Sequence, residues 1–368
     1  MKKADVRPFE GLKVLELASV LAGPLAGSFL AEGGATVLKV EHPRLGDVTR
    51  TWRSEGEPTD DPNSAYFAAA NTFKETIKID LASDQGRTWL ENELSTCDIL
   101  LQNFKEGDLN KFDLTPEKLA KKFPNVIHIR LVGFAESPER LAYDVVMQAE
   151  TGFMHMNGAP ENRGVKIPVA MIDILASHQM RSAVTTGLYA RERGATGWYA
   201  QVSLELSGIA ALVNQATNYL MNDTIPQRRG SIHPNIAPYG EQLEFEDGNL
   251  VLAIGSDAQF ISLCEVLGKP ELSKDSRYLT NQDRVIHRLQ LISDLQQLVT
   301  GHQRESLLRK FHESRVPAGA VRTLDDVFAP GSPGSKAVIV EEIEHSKRPL
   351  VKPRTTAYSV TIFGNEMT

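Results

Sequence analysis

Short apolar runs alternate with helical stretches of about 10–15 residues from the N-terminus onward, and no other feature restricts the fold as much. Residues 12–17 (LKVLEL) read as a strand that enters a turn at Ala22-Gly23-Pro24. A helix over 25–32 follows and stops at Gly33-Gly34, and residues 36–40 (TVLKV) form a second short strand ending on Glu41. The unit then repeats. Strands are predicted over 75–81, 98–102 and 126–132, with helices over 83–94 and 115–122 between them. Asn103-Phe104 and Gly133-Phe134 close two of these strands. A helix over 144–154, a strand over 199–206 and a helix over 206–221, apolar enough to be buried, complete the series. Strands separated by helices pair in parallel, so residues 1–206 are predicted to form a large α/β domain around a Rossmann-like, doubly wound sheet. Such sheets take ligands at the carboxyl ends of their strands. No GxGxxG follows the first strand, which places a nicotinamide dehydrogenase last among the functions considered.

The character changes near Asn222. Residues 226–240 (PQRRGSIHPNIAPYG) hold three prolines and two glycines, so 207–240 reads as a helix and linker. Apolar runs at 243–245 and 250–254 flank Asp247-Gly248, a hairpin signal. Helices over 258–267, 281–299 and 304–314 follow, giving a smaller α+β domain over 241–314. Residues 315–368 form a last segment, completing the large domain from about 322 onward. In it, strands over 338–343 and 358–362 return to the first domain or close the second.

The sharpest chemical signal lies in 164–199. Apolar residues 167–172 precede a single acid, Asp173, and a helix runs on to about Arg193, stopped by Gly194 and Gly197. Taken alone, Asp173 reads as an N-cap, its carboxylate accepting from free helix amides. It also reads as a carboxylate whose reactivity is controlled by apolar walls and helix-end amides, suited to nucleophilic or proton-transfer work. The two roles are compatible. The net charge of −7 argues against nucleic acid or an anionic membrane as partner. Cys97 and Cys264 stand far apart without metal-ligand spacing, so neither a disulfide framework nor a metal is expected. The N-terminus lacks the apolar core of a signal peptide, and no run approaches the ~18 apolar residues of a membrane span. The expected location is the cytoplasm or an organelle matrix.

Several blocks occur in an order that resembles the family III CoA-transferases of the CaiB/BaiF (carnitine/bile-acid) type. They are GLKVLEL at 11–17, Leu21-Ala22-Gly23-Pro24, GATVLKVE at 34–41 and GDVTR at 46–50. Asn71 with Lys74, Ile79-Asp80-Leu81, Asp98-Ile99-Leu100, Asn103-Phe104 and Gly133-Phe134 continue the pattern. Tyr143-Asp144 with Gln148-Ala149 and Gly152, then HPNIAPY at 233–239 and Val316-Pro317-Ala318-Gly319, complete it. The blocks span almost the whole chain, and Asp173 falls where that family carries its catalytic aspartate.

The resemblance implies covalent transfer of coenzyme A (CoA) through an aspartyl–acyl anhydride and an aspartyl-CoA thioester, without a metal. Backbone amides near Asp173 are the expected oxyanion donors. Carried over position by position, Leu21 and Ala22 line the thioester end of CoA. His42, Ile79, Asn103, Phe104, Lys105 and Lys111 surround adenosine and phosphates, and Arg140 and Tyr143 lie beside the diphosphate and reacting centre. Each basic residue taken alone reads as a solvated surface charge. Likewise His233 taken alone reads as a structural histidine in a proline-rich loop. The resemblance also implies an interlocked homodimer, in which the 233–239 loop of one subunit can cover Asp173 of the other. Two departures narrow the activity. Tyr143 stands where the 2-methylacyl-CoA racemase branch needs a histidine base, and a tyrosine with a pKa near ~10 is a poor shuttle. Residues 231–235 replace the glycine-rich loop of formyl-CoA transferases. Many relatives extend beyond the point matching Thr368, so a C-terminal helix is expected to be short or missing. The expected function is CoA transfer from a short acyl- or dicarboxyl-CoA such as succinyl-CoA to a carboxylic acid. The alternatives are a racemase and a non-catalytic acyl-CoA-binding protein in which Asp173 only caps its helix.

Overall fold

The computed structural model describes residues 7–343 and 346–358. In chain order the elements are β1 (Lys13–Glu16), α1 (Ala22–Glu32), β2 (Thr36–Glu41), α2 (Ala65–Ala68), β3 (Glu75–Lys78), α3 (Asp84–Leu94) and β4 (Ile99–Gln102). Next come α4 (Glu106–Lys111), α5 (Pro116–Lys122), β5 (Ile127–Val132), α6 (Asp144–Glu150), α7 (Phe153–Met156), α8 (Met171–Glu192), β6 (Tyr199–Ser203), α9 (Leu204–Ala210) and α10 (Val213–Asn222). Then follow β7 (Tyr239–Phe245), β8 (Gly248–Ala253), α11 (Asp257–Val266), α12 (Asn281–Ile286), α13 (Arg288–Val299), α14 (Arg304–Glu313), β9 (Ala318–Ala320), α15 (Leu324–Val327), α16 (Pro333–Lys336), β10 (Val338–Glu341) and β11 (Leu350–Pro353). The chain divides into two compact units. One takes the residues up to Met154, Lys166–Ile225 and the segment from Lys336 onward; the other takes His155–Val165 and Pro226–Ser335.

The first unit is a doubly wound sheet. Its six strands lie in the order β3-β2-β1-β4-β5-β6, all parallel. That is the strand order shared by dinucleotide-binding sheets, here without their glycine fingerprint. Burial follows position in the sheet. Every residue of β4 and β5 is buried, whereas β3, at the edge, buries none. Successive side chains take opposite faces. Val14, Ile99, Leu101, Ile127 and Ile129 join the core beneath α1 and α8, while Leu15 and Leu100 join the one beneath α3–α5. Along α8, Ile172, Ala176, Met180 and Val184 recur every four residues and are fully buried, so one stripe of this helix is locked into the core. Truncating one of its large residues to alanine would cost about 2–5 kcal/mol.

The second unit has an antiparallel sheet, β7-β8-β9, and the helices α11–α14 around their own core. Arg284, fully buried there, donates to the Ala237 and Tyr278 carbonyls and pairs with Asp257 at 2.7 Å.

Several expectations need correction. The 144–154 helix is two helices, separated where Gly152 takes φ 88°. The 281–299 helix breaks at His287. The 206–221 helix starts at Leu204, breaks after Ala210, and its second half buries nothing: Val213, Leu220 and Met221 are exposed. Apolar content marks a face for covering, but within one chain nothing has to cover it. The last segment does return to the first unit, through an antiparallel pair of β10 with β11 that the sequence reading placed only in part. The strand expected over 358–362 lies outside the described residues, apart from Tyr358. No helix among the described residues is long and apolar enough to cross a membrane.

Candidate active site

Asp173 sits at the third position of α8, inside the first turn, and its side chain does not cap the helix. Asp144 takes that role from another helix. Its Oδ1 accepts from the Ile172 amide at 2.7 Å and the Asp173 amide at 3.4 Å. Its Oδ2 accepts from Gln148 Nε2 at 2.6 Å, and Gln148 Oε1 accepts from the Ile167 amide at 2.7 Å. The Asp144/Gln148 pair thus rivets the start of α8 and the strand-like approach to it. This overturns the expectation of Asp173 as N-cap, and it takes the Ile172 and Asp173 amides out of the set of oxyanion donors expected near Asp173.

The Asp173 carboxylate is left differently. It is 8% exposed and accepts no hydrogen bond from a described residue. Burial pushes its pKa up to about 7, and the neighbouring Asp144 charge adds to the effect. It faces a cavity of about 900 Å³, lined also by Val20, Leu21, Trp52, Tyr66, Tyr143 and Arg181. Tyr66 and Trp52 meet edge to face at 5.0 Å. Burial raises the Tyr66 pKa, and the nearby Asp173 and Asp144 charges reinforce this. Sequence reading did not find Tyr66 or Trp52: they lie between β2 and β3, where the chain has no periodicity to read.

The turn between β1 and α1 is held from below. Val20 adopts φ 75°, a strained value for a β-branched residue. Lys39 Nζ donates to the Ala18 carbonyl at 2.9 Å and pairs with Glu16 at 3.1 Å and Asp47 at 3.0 Å. Lys74 Nζ donates to the Pro24 carbonyl at 2.8 Å, to Asn71 at 3.2 Å and to Glu16 at 2.8 Å. Gly27 is what allows α1 to settle onto Glu16, because a Cβ there would come 1.8 Å from the carboxylate. Asn103 fastens the other side, exchanging two hydrogen bonds with the Ser19 backbone.

Ser19 faces a second cavity, of about 420 Å³, at the carboxyl ends of β1 and β2. His42, Ile79, Phe104 and Lys111 line it together with Leu17, Val40 and Phe112. His42 Nδ1 accepts from the Arg44 and Leu45 amides, so part of its role is to shape the turn after β2. Asn103, Phe104, Lys105 and Arg140 meet at a smaller cleft of about 150 Å³. Arg140 is already engaged, paired with Glu150 and lying 3.9 Å over the Phe134 ring. Leu21 and Tyr143 line the Asp173 cavity, but Ala22 is buried in the core under α1 and lines none of these spaces. His233 belongs to the second unit, where its Nδ1 accepts from the Asn235 amide and its ring meets Tyr239 edge to face. Neither cysteine is a nucleophile: burial pushes both thiols up to about 12. Among the described residues, no group of three or more His, Cys, Asp or Glu could hold a metal ion.

Comparisons with known proteins agree with one another. The model of CoA-transferase family III matches residues 9–361. A succinate–glutarate CoA-transferase of Agrobacterium fabrum is 35% identical over 328 residues, which cover 88% of this chain and 82% of that protein. The human succinyl-CoA:glutarate CoA-transferase is 32% identical over 328 residues, covering 88% and 74%. Among solved structures, a CAIB/BAIF family protein from Brucella suis superposes with a TM-score of 0.80 at 36% identity, over 95% of this chain and 92% of that one.

Proposed function

The chain belongs to CoA-transferase family III, and from that membership we propose that it moves CoA from a short acyl-CoA, such as succinyl-CoA, to a dicarboxylic acid, with Asp173 as the nucleophile. The observation that carries the reading is a lone buried carboxylate, without a hydrogen-bond partner among the described residues, facing a large cavity. A carboxylate stripped of donors is a stronger nucleophile than a solvated one. A pKa near 7 leaves much of it ionised at neutral pH.

In the cycle, an Asp173 oxygen attacks the thioester carbonyl carbon. The C–S bond breaks, leaving an aspartyl–acyl anhydride and CoA thiolate. The thiolate attacks the Asp173 carbonyl carbon and releases the donor acid as carboxylate, giving an aspartyl-CoA thioester. The acceptor carboxylate attacks that thioester, forming a second anhydride and freeing the thiolate again. Attack of the thiolate on the acceptor acyl carbon then yields the new acyl-CoA and restores Asp173. No net hydrolysis occurs, and both adducts stay activated. Each tetrahedral oxyanion needs donors. With the amides of Ile172 and Asp173 committed to Asp144, the role passes to the uncapped start of α1, whose Leu21 lines the same cavity.

The adenosine of CoA is assigned to the cavity lined by His42, Ile79, Phe104 and Lys111, with Asn103, Lys105 and Arg140 near its phosphates. The pantetheine then crosses the 18–24 turn towards Asp173. Racemisation is disfavoured, because Asp144 spends both oxygens on the α8 cap and Gln148, and Tyr143 puts a phenol where the racemase branch has a histidine. The active form is assigned as an interlocked homodimer, whose partner would cover the exposed apolar residues of α10. Sedimentation at falling concentration should show no folded monomer.

The activity is tested by incubating succinyl-, acetyl-, formyl- and glutaryl-CoA with free dicarboxylates and separating the products. The expected result is a new dicarboxyl-CoA formed in step with loss of the donor, without accumulation of free CoA. Hydrolysis alone, or rapid α-deuterium uptake by a 2-methylacyl-CoA, would refute it.

A further inference from the structure

The cavity that holds Asp173 also exposes a second unbalanced charge. Arg181 lies on the same helix, eight residues on, at a rise of ~12 Å along the axis. The two side chains line the same cavity from different turns of this helix. Arg181 is 9% exposed and lines the cavity. Its backbone partners are distant, the Leu25 carbonyl at 3.3 Å and the Thr355 carbonyl at 3.5 Å, and its Nε is buried without a partner. The guanidinium stands 5.1 Å over the Phe29 ring.

Charge counting at this end of the cavity does not balance. Glu32 is the buried carboxylate nearby, and it is saturated by Lys352 at 2.6 Å and by the Thr355 amide and hydroxyl. Among the described residues, no carboxylate pairs with Arg181. A buried guanidinium held only by two long contacts to carbonyls, without a carboxylate partner and on the wall of a cavity, suits an anion with two oxygens.

We propose that Arg181 receives the second carboxylate of a dicarboxylic substrate while the first reacts at Asp173. The inference rests on the reading of Asp173 as nucleophile and adds the group that selects the substrate class. The same subsite serves donor and acceptor, because the donor acyl group and the acceptor acid occupy the anhydride at Asp173 in turn. A monocarboxylic acid of equal length would leave Arg181 desolvated and unpaired. That is how a site built to bind a polar group rejects the analogue lacking it.

The test compares glutarate with pentanoate as acceptors from succinyl-CoA, and succinyl-CoA with butyryl-CoA as donors, in the full chain and in Arg181→Met. The wild type is expected to favour the dicarboxylate in both arms. In Arg181→Met the ratio of kcat/KM for glutarate to that for pentanoate should fall at least ~10-fold, the loss of a charge-assisted contact. The donor ratio should fall likewise, and Arg181→Lys should retain part of each. A purely structural Arg181 would lower both members of a pair alike, and an unchanged ratio overturns the proposal. So would a ratio that moves instead with Lys166→Met or Arg354→Met, which remove the exposed cations of the same cavity. Calorimetric binding of glutarate separates this proposal from the transferase reading. If the wild type transfers CoA to neither acid, yet binds glutarate and loses ~10-fold in Arg181→Met, the subsite stands and the reaction is wrong. Equal binding by both proteins removes the subsite.

Discussion

Glu16 and Asp173 are both carboxylates buried in the first unit, and they live under opposite conditions. Glu16 is fully buried between Lys39 and Lys74, whose ammonium groups also hold the Ala18 and Pro24 carbonyls. At Lys39 the partners decide: burial alone would lower its pKa, but Glu16 and Asp47 outweigh it and the net shift is upward, whereas at Lys74 burial wins over Glu16 and pulls the ammonium down to about 7. Asp47 likewise stays below the usual carboxylate range, because Lys39 and Thr49 overcome its burial. Around Asp173 nothing opposes burial, and Asp144 pushes the same way. Paired buried charges here fix the turn that separates the two cavities, and unpaired ones face the space where chemistry is proposed.

The largest way to break this contrast is to remove each carboxylate in turn. Asp173→Asn should abolish CoA transfer, at least ~10⁴-fold, because the covalent path is lost, while leaving circular dichroism unchanged. Glu16→Gln should do the reverse in kind. It leaves two buried lysines short of a partner and should destabilise by about 3–5 kcal/mol, read in urea melts. Equal stability loss in both variants would erase the distinction.

A second test uses pH. The folded Asp173 has a pKa near 7, above its unfolded value, so the folded state binds the extra proton. Its ionisation therefore costs nothing below about pH 4, and the full penalty is present above about pH 7. Asp173→Asn should thus match the wild type near pH 4 and exceed it by roughly 2–4 kcal/mol at pH 8. A wild type as stable as the variant at pH 8 would mean that the carboxylate has found partners. In the same range, kcat/KM should rise with pH and level off above about 7, as the nucleophile ionises. A profile flat down to pH 5 would contradict the raised pKa.

The smallest expected effect concerns the thiols. At pH 7, iodoacetamide should label neither Cys97 nor Cys264 in the folded protein, and activity should persist. Rapid inactivation that acyl-CoA prevents would move the nucleophile away from Asp173.

The parallel sheet was legible because its central strands are rich in apolar residues, Ile99, Leu100 and Leu101 in one and Val126, Ile127, Ile129, Leu131 and Val132 in the other, and such stretches survive in sequence form. β11 was not, since LVKP holds Lys352, buried only through its pairing with Glu32, and a proline. The position of Asp173 ahead of a long helix was readable, but its capping was not. The cap comes from Asp144, 29 residues earlier, and such a contact leaves no local spacing behind. The basic residues assigned to CoA were legible only as residue types. The structure places His42, Ile79, Phe104 and Lys111 around one cavity, yet shows Arg140 committed to Glu150 and Ala22 withdrawn into the core. Arg181 passed as one more charge on a helix, because sequence does not reveal that the nearby Glu32 is already taken by Lys352.

The most direct measurement is a trap. The protein is mixed with succinyl-CoA, quenched with borohydride, digested and examined by mass spectrometry. The account predicts reduction of a single side chain, Asp173 to the corresponding alcohol, dependent on succinyl-CoA and absent when hydroxylamine is added first. Full transfer activity with Asp173 unmodified, or the label on another residue, would contradict it.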